Sequence, residues 1–375
     1  MTRVGHPARL LPSVLTHSLD VLTQTSDAAE ILRDVRADMD ARLSSLKKAR
    51  FARDRRQTYA DLKELRKEFR QREQKCVADI LRGSRVVLAT LHGAGGRNLF
   101  GEQFDVVVID EANQALEASC WVPLLAAKKV VFAGDHMQLP PTVKSARVNK
   151  TATPQDANLP KASLERTMLD RLYSLYGNTI MRMLTTQYRM HESIMRFPSD
   201  ELYHSRLIAA EHVGKRLLLD LRPGVADTPD TTEPVVFIDT QGGLFPERAE
   251  SDEDGDDGSK KKPRLVGADS KSNDMEALLA KAHVKQLVEA GIGPEDIAVI
   301  TPYNAQLALL APLKDLFPGI ELGSVDGFQG REKEAVVVSL VRSNDDGEVG
   351  FLSERRRLNG ELDPAETGGI ELTMG

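Results

Sequence analysis

Six short runs of aliphatic residues constrain this chain more than any other feature. They are Val86-Val87-Leu88, Val106-Val107-Val108-Ile109, Val130-Val131-Phe132, Val235-Val236-Phe237-Ile238, Ile297-Ala298-Val299-Ile300 and Ala335-Val336-Val337-Val338, each bounded by Gly or polar residues. Short runs rich in β-branched residues read as strands. Their apolarity is continuous rather than alternating, which predicts strands buried on both faces and hence a parallel α/β sheet. Three runs precede residue 133 and three follow residue 234, so two α/β domains in tandem are expected. The length of 375 residues agrees, at roughly 150 residues per domain.

The segment 14–82 has a different texture. Leu32, Val35, Met39, Leu43 and Leu46 recur three and four residues apart, and Leu62, Leu65, Phe69, Cys76 and Ile80 form a second such series. This is the spacing of a helical hairpin with one apolar stripe. Between residues 42 and 75 there are 13 Lys or Arg against five Asp or Glu, a local excess of 8 in a chain whose formal net charge is -6. Such a surface is either a solvated pair of charged helices or a face that tracks phosphates. The segment 246–275 carries Glu247, Glu250 and a run of acids to Asp257, then Lys260-Lys261-Lys262, with Gly and Ser between. Sign-blocked charge of this kind makes no core and reads as a disordered surface insertion. Residues 144–162, rich in Lys, Thr, Pro and Asn, read as a flexible loop.

A pI near 5.8 excludes a globally basic nucleic-acid binder but not a local basic patch. No apolar run approaches the roughly 20 residues of a membrane span, and the first residues lack a signal-peptide layout. Cys76 and Cys120 are too few for a disulfide framework or a Cys-rich zinc site. A soluble protein of the cytoplasm or nucleus is expected, without membrane association.

Four stretches carry chemistry. In Phe104–Gln114 a hydrophobic strand ends in Asp110-Glu111. In a nucleotide hydrolase the strand end fixes such an Asp beside a Mg²⁺ ion on the phosphates, and the Glu orients and deprotonates the attacking water. The same pair also suits an acidic helix N-terminus. Next comes Gly134-Asp135-His136-Met137-Gln138-Leu139-Pro140-Pro141, a polar loop after a strand, where α/β sheets bind ligands. The third is Leu184-Thr185-Thr186-Gln187-Tyr188-Arg189-Met190-His191. The fourth is Ser324-Val325-Asp326-Gly327-Phe328-Gln329-Gly330-Arg331-Glu332-Lys333-Glu334.

In this order and spacing the four stretches resemble motifs II, III, IV and V of superfamily 1 helicases. The subgroup is 1B, which contains the nonsense-mediated-decay helicase and immunoglobulin mu-binding protein 2. Pro302-Tyr303-Asn304-Ala305-Gln306, Glu117–Trp121 and Gly5–Arg9 are further family-like segments. The resemblance implies an α/β fold of tandem RecA-like P-loop NTPase domains with a helical insertion in the first. ATP lies between the domains and a single strand across their tops. It implies that Asp110 holds Mg²⁺, that Glu111 is the general base, that Gln138 senses the γ-phosphate in a loop with Gly134 and Asp135, and that Arg189 is an arginine finger. Glu332 and Gly330 would contact nucleotide, while Thr90, Pro302, Tyr303 and Gln306 would contact the nucleic-acid strand. A core role suits Tyr303 almost equally well.

The implied boundaries are 1–143 for the first domain, with 14–82 as its insertion, and 163–359 for the second. The implied activity is ATP-dependent 5′-to-3′ movement along single-stranded RNA or DNA by a monomer, with ATP and Mg²⁺ as cofactors. Two departures qualify it. No Gly-x-x-x-x-Gly-Lys-Ser/Thr occurs in the chain, and Gly93–Arg97 lacks the Lys. The family places that phosphate loop upstream of Met1. The stretch Arg355-Arg356-Arg357-Leu358-Asn359 begins motif VI, but the residues after Asn359 depart from the family. The chain therefore reads as a fragment truncated at both ends, with 360–375 a non-family tail and little or no ATPase activity of its own. The alternative is a non-enzymatic remnant that binds strands or partners.

Overall fold

The structure, a computed structural model, describes residues 1–5, 10–48, 51–142, 164–249, 270–328, 330–344, 347–350 and 370–374. The chain divides into two compact units, Met1–Gly134 with Val143–Met168, and Asp135–Thr142 with Leu169–Gly375.

The first unit begins with β1 (Thr2–Arg3), α1 (Pro12–Leu15), α2 (Leu19–Thr25), α3 (Ala28–Lys48) and α4 (Ala52–Gly83). It continues with β2 (Val87–Leu88), α5 (Leu91–Ala94), β3 (Phe104–Ile109), α6 (Glu117–Leu124) and β4 (Ala127–Phe132). Helices α3 and α4 form the expected hairpin, and the apolar stripe does its packing: Leu32, Val35, Leu62 and Cys76 are buried. Across the pair the Arg36 guanidinium lies over the Phe69 ring, and Ser26 Oγ, at the end of α2, lies 3.2 Å from Cys76 Sγ of α4. The strands pair in parallel twos, β1 with β2 and β3 with β4. The expectation of strands buried on both faces fails here. Val106, Val108, Val130 and Val131 are exposed: among the described residues nothing covers these side chains, and β3 and β4 pair only with one another.

The second unit runs through α7 (Met168–Tyr176), β5 (Thr186–Gln187), α8 (Glu192–Leu202), β6 (Ile208–Ala209), α9 (Pro229–Thr232) and β7 (Val235–Asp239). Then come β8 (Arg248–Ala249), β9 (Lys271–Ser272), α10 (Asp274–Glu289), β10 (Ile297–Thr301), α11 (Asn304–Leu310) and α12 (Leu313–Leu316). The last elements are β11 (Glu321–Ser324), α13 (Val325–Phe328), β12 (Ala335–Ser339) and β13 (Ile370–Met374). Five strands form a wholly parallel sheet in the order β11-β10-β12-β13-β7. At β10 and β12 burial on both faces holds, since every residue of the two is buried; at the edge strand β7 it fails, with Val235 and Phe237 exposed. The two-residue period of a strand splits the residues of β10 and β12 between two cores. Ile297, Val299, Ala335 and Val337 pack with α10, through Ala277, Ala280 and Val284. Ala298, Ile300, Val336 and Val338 pack with Ile194, Met195 and Phe328. Burying one such aliphatic side chain is worth about 1.5–3 kcal/mol, so these two strands anchor the unit.

Two stretches differ from the sequence reading. Ile370–Met374, inside the tail assigned no place, lies between β12 and β7, with Ile370 opposite Val336 and Val235. Its alternating Ile, Glu, Leu, Thr, Met is a strand pattern that comes after two glycines. The ends of the acidic insertion also belong to the fold, because Arg248–Ala249 pairs antiparallel with Lys271–Ser272. Residues 250–269, the loop 144–162 and Arg355–Asn359 lie outside the described residues. Among the described residues no helix is long and apolar enough to cross a membrane.

Candidate functional site

Strand β3 delivers Asp110 and Glu111 at its C-terminal end, both exposed. Glu111 has a left-handed backbone, φ 50 and ψ 43, which a residue with a long side chain adopts only when its surroundings hold it there. The holders are visible. Its N–H donates to Asp110 Oδ1 at 3.0 Å. Gln114 Nε2 donates to Glu111 Oε2 at 2.9 Å. The following Ala112 N–H is tied to the Ala133 carbonyl. Gln114, quoted within the motif but given no role from sequence, is thus the residue that orients the carboxylate. Gly134 has a steric reason to be glycine. A Cβ there would stand 2.7 Å from Asn113 Oδ1 and 2.8 Å from the Ala112 nitrogen, so the backbone after β4 can approach the turn after β3 only without a side chain.

The stretch Asp135–Pro141 groups with the second unit rather than with 1–134. Leu139 is buried with Met190, Ile194 and Met195, the His136 ring lies 4.9 Å from the Tyr173 ring, and Tyr203 donates its hydroxyl proton to Asp135 Oδ2 at 2.5 Å. Asp135 Oδ1 also accepts from the Met137 N–H at 2.9 Å, and the Asp135 carbonyl accepts from the Gln138 N–H at 3.1 Å. Asp135 therefore shapes the loop that carries Gln138, which is half-buried.

Arg189 sits just after β5 in a loop built by one side chain. Gln187 Oε1 accepts from the N–H groups of Arg189 and Met190, each at 2.8 Å, and Gln187 Nε2 donates to the Met190 carbonyl at 2.7 Å. The Arg189 guanidinium donates to Glu332, through Nε at 2.8 Å and again through Nη2. Two residues singled out separately by the sequence, 143 positions apart, are one ion pair. The pair is half-exposed, so its worth in stability is small, and what it supplies is orientation. Gly330, at φ 76, takes the left-handed backbone that glycine adopts without strain. A neighbouring pair, Arg216 with Glu334 at 3.0 Å, fixes the start of β12.

The four residues assigned to the strand fare differently. Thr90 is exposed, and its hydroxyl oxygen caps α5 by accepting from the Gly93 N–H at 3.0 Å. Pro302 is half-buried. Tyr303 and Gln306 are corrected: they are 3% and 0% exposed, inside the unit rather than lining a surface. Gln306 accepts from the Asn273 N–H at 2.8 Å, and donates to the Asn273 carbonyl and to Ser339 Oγ. Ser339 in turn donates to Glu276 Oε1 at 2.9 Å, and the Val341 N–H donates to both Glu276 oxygens. This buried network joins the start of α10, the start of α11 and the end of β12. Beyond it Glu247 accepts from Arg342 Nε at 2.8 Å and from the Ser343 N–H at 3.0 Å. Burial works to raise the Glu247 carboxyl's pKa, but those donors and Lys271 outweigh it and hold the group below the usual carboxylate range.

Two histidines give the second unit a pH dependence. Burial depresses the pKa of His191 against the opposing pull of Glu192, and the His191 Nδ1 accepts from the Ser193 N–H as the cap of α8. Burial likewise depresses that of His283, against Asp230 and Gln286. A base whose folded pKa lies below its ordinary value of 6.5 binds fewer protons when folded. Its contribution is complete above that value and is lost as pH falls towards the folded pKa. Urea unfolding is expected to show lower stability at about pH 5.5 than at about pH 7.5. The double variant His191→Asn, His283→Gln should flatten that difference, and an unchanged slope would contradict the assignment.

Comparison with known proteins identifies the relatives. A family model described as an AAA domain matches residues 164–367, and a second with the same description matches residues 1–146. The chain is 49% identical over 360 residues to the DNA polymerase alpha-associated DNA helicase A of Schizosaccharomyces pombe, covering 96% of this chain and 50% of that protein. It is 46% identical over 362 residues to the DNA-binding protein SMUBP-2 of Rattus norvegicus, covering 95% and 34%. It is 34% identical over 304 residues to the ATP-dependent helicase upf1 of Schizosaccharomyces pombe, covering 78% and 29%. The chain thus spans half or less of the length of these relatives.

Proposed function

The chain belongs to the superfamily 1B helicases, and from that premise we propose that it is the ATP-driven part of a protein that moves 5′ to 3′ along single-stranded RNA or DNA in the cytoplasm or nucleus. In this reading the two units are RecA-like domains in tandem, and α3 with α4 is a helical insertion in the first.

The chemistry assigns each residue a task. Glu111, turned by its left-handed backbone and steadied by Gln114, orients the attacking water and takes its proton. Asp110 would hold Mg²⁺. A single exposed carboxylate at a strand end fits this ion, which keeps several waters and binds through one or two carboxylates and the phosphates rather than in a protein cage. Among the described residues no cluster of three or more His, Cys, Asp or Glu offers such a cage. The ion, when bound, neutralises charge on the phosphates. Gln138 reads the γ-phosphate from the loop that Asp135 shapes. Arg189 brings a planar guanidinium to the transferring phosphoryl oxygens, and Glu332 keeps it aimed until then.

The observation that carries the reading is the Arg189–Glu332 pair on its Gln187-built loop. A surface ion pair held only by solvent has no need of a buttressing carboxamide. The 375 residues contain no Gly-x-x-x-x-Gly-Lys-Ser/Thr, so the backbone cradle and the Lys for the β- and γ-phosphates are missing from them. Phosphate release by this polypeptide, with or without single-stranded nucleic acid, is therefore expected at or near background. Turnover at a helicase's rate, about 1 per second or faster, abolished by Glu111→Gln, would contradict the account of what the phosphate loop supplies.

A further inference from the structure

Helix α4 is divided lengthwise into three strips. At about 100° per residue, Arg55, Arg56, Tyr59, Lys63, Arg66, Lys67 and Arg70 fall within one arc of about 120°. No other residue between 55 and 70 falls in that arc. All seven are exposed, and Tyr59 is 60% exposed. The acids Asp61, Glu64 and Glu68 share a second strip with Gln57, and the third, with Thr58, Leu62, Leu65 and Phe69, is the buried or half-buried one. None of the six cations forms an ion pair among the described residues. The helix does form ion pairs elsewhere, Arg72 with Glu68 at 2.8 Å and Arg82 with Glu102 at 3.8 Å, both off the basic arc.

This sorting is unfavourable for an idle helix. Lys63 with Arg66, Lys67 with Arg70, Lys63 with Lys67 and Arg66 with Arg70 are like-charge neighbours three and four residues apart, and such neighbours repel. A helix that only meets water gains by mixing signs, as Glu68 and Arg72 do. We infer that the basic arc of α4 is a docking surface for single-stranded nucleic acid, with the cations on successive phosphates and Tyr59 stacked on one base. At about 1.5 Å per residue the arc is about 23 Å long, enough for a few nucleotides. The arc contains no aliphatic residue, so it has nothing to bury in a bilayer. An exposed aromatic ring among cations is the arrangement that reads a sugar-phosphate strand and its bases. Nucleic-acid handling by the family makes such a partner available, but the contact itself needs no ATP.

Anisotropy of a fluorescent oligothymidylate, titrated with the 375-residue chain without nucleotide, tests it. The variant Arg55→Gln, Lys63→Gln, Arg66→Gln, Arg70→Gln should lose at least about tenfold in affinity. Its dependence of log affinity on log salt should flatten by about 3, at about 0.7 per phosphate contact. The control Arg53→Gln, Arg72→Gln, Lys75→Gln, Arg82→Gln removes equal charge from the same helix outside the arc and should stay within about twofold of the parent. Tyr59→Ala should weaken binding about tenfold with the salt slope unchanged, and Tyr59→Trp should retain it with its fluorescence quenched by the oligonucleotide. Circular dichroism confirms that each variant stays helical. Equal losses in variant and control overturn the proposal, as does an unaffected oligonucleotide affinity. So does arc-dependent binding to phosphatidylserine vesicles with no effect on the oligonucleotide. Because no ATP is present, failure here leaves the hydrolysis reading standing, and failure of hydrolysis leaves this contact standing.

Discussion

Replacing Glu276 by alanine is expected to remove about 4 kcal/mol from the stability of the second unit, read as a lowered urea midpoint with an unchanged denaturant slope. Glu276 is 1% exposed. Its oxygens accept from the Val341 N–H at 3.1 and 2.9 Å and from the Ser339 hydroxyl at 2.9 Å. Truncation leaves two buried donors unmet, each at about 1–3 kcal/mol. It also releases Val341, whose φ of 73 is a strained backbone for a β-branched residue. Glu276→Gln keeps one acceptor oxygen and should lose less. If the alanine variant unfolds within about 0.5 kcal/mol of the parent, as a surface substitution does, the network does not hold the end of β12.

The second large effect concerns turnover. The assay requires a form that hydrolyses ATP: a fusion in which a segment carrying the Gly-x-x-x-x-Gly-Lys-Ser/Thr loop, taken from a superfamily 1B helicase, precedes Met1. In that form Arg189→Ala is expected to lower strand-stimulated hydrolysis by about a thousandfold, the scale of a lost arginine finger. Arg189→Lys should recover little, because an ammonium lacks the planar fork. Glu332→Gln and Gln187→Ala should fall between, since each keeps the guanidinium but loosens its aim: Glu332 receives Nε, and Gln187 holds the backbone of the loop. Equal activity of Arg189→Ala and the parent would return Arg189 to an ordinary surface ion pair.

What can be read from sequence tracks what is local. The strands β10 and β12 are legible in type and burial, because their apolar runs fit a strand covered on both faces. The same texture misleads at β3 and β4, where Val106, Val108, Val130 and Val131 stay exposed, since a run of aliphatic residues does not say what covers it. Asp110, Glu111, Arg189 and Glu332 stand out by motif, but the pairing of the last two is a tertiary fact. Gln114 and Gln187 lie inside the quoted motifs, yet an amide carries no sign of whether it faces a ligand or braces a neighbour. Gln306 shows the same limit from the other side. It sits in a family-like segment, but α11 begins at Asn304 and points it inward onto Ser339. The strand at 370–374 carries an alternating pattern that a strand would show, but its place between β12 and β7 is a tertiary fact.

Strand-stimulated ATP hydrolysis by the same fusion, with and without Glu111→Gln, decides whether Glu111 is the general base of an ATP hydrolase. The expected result is hydrolysis that rises on adding single-stranded nucleic acid and falls by about a thousandfold in the variant, with ATP binding retained, as the loss of a general base requires. A folded, ATP-binding fusion that does not hydrolyse, or one that hydrolyses equally well with Gln at position 111, would contradict it.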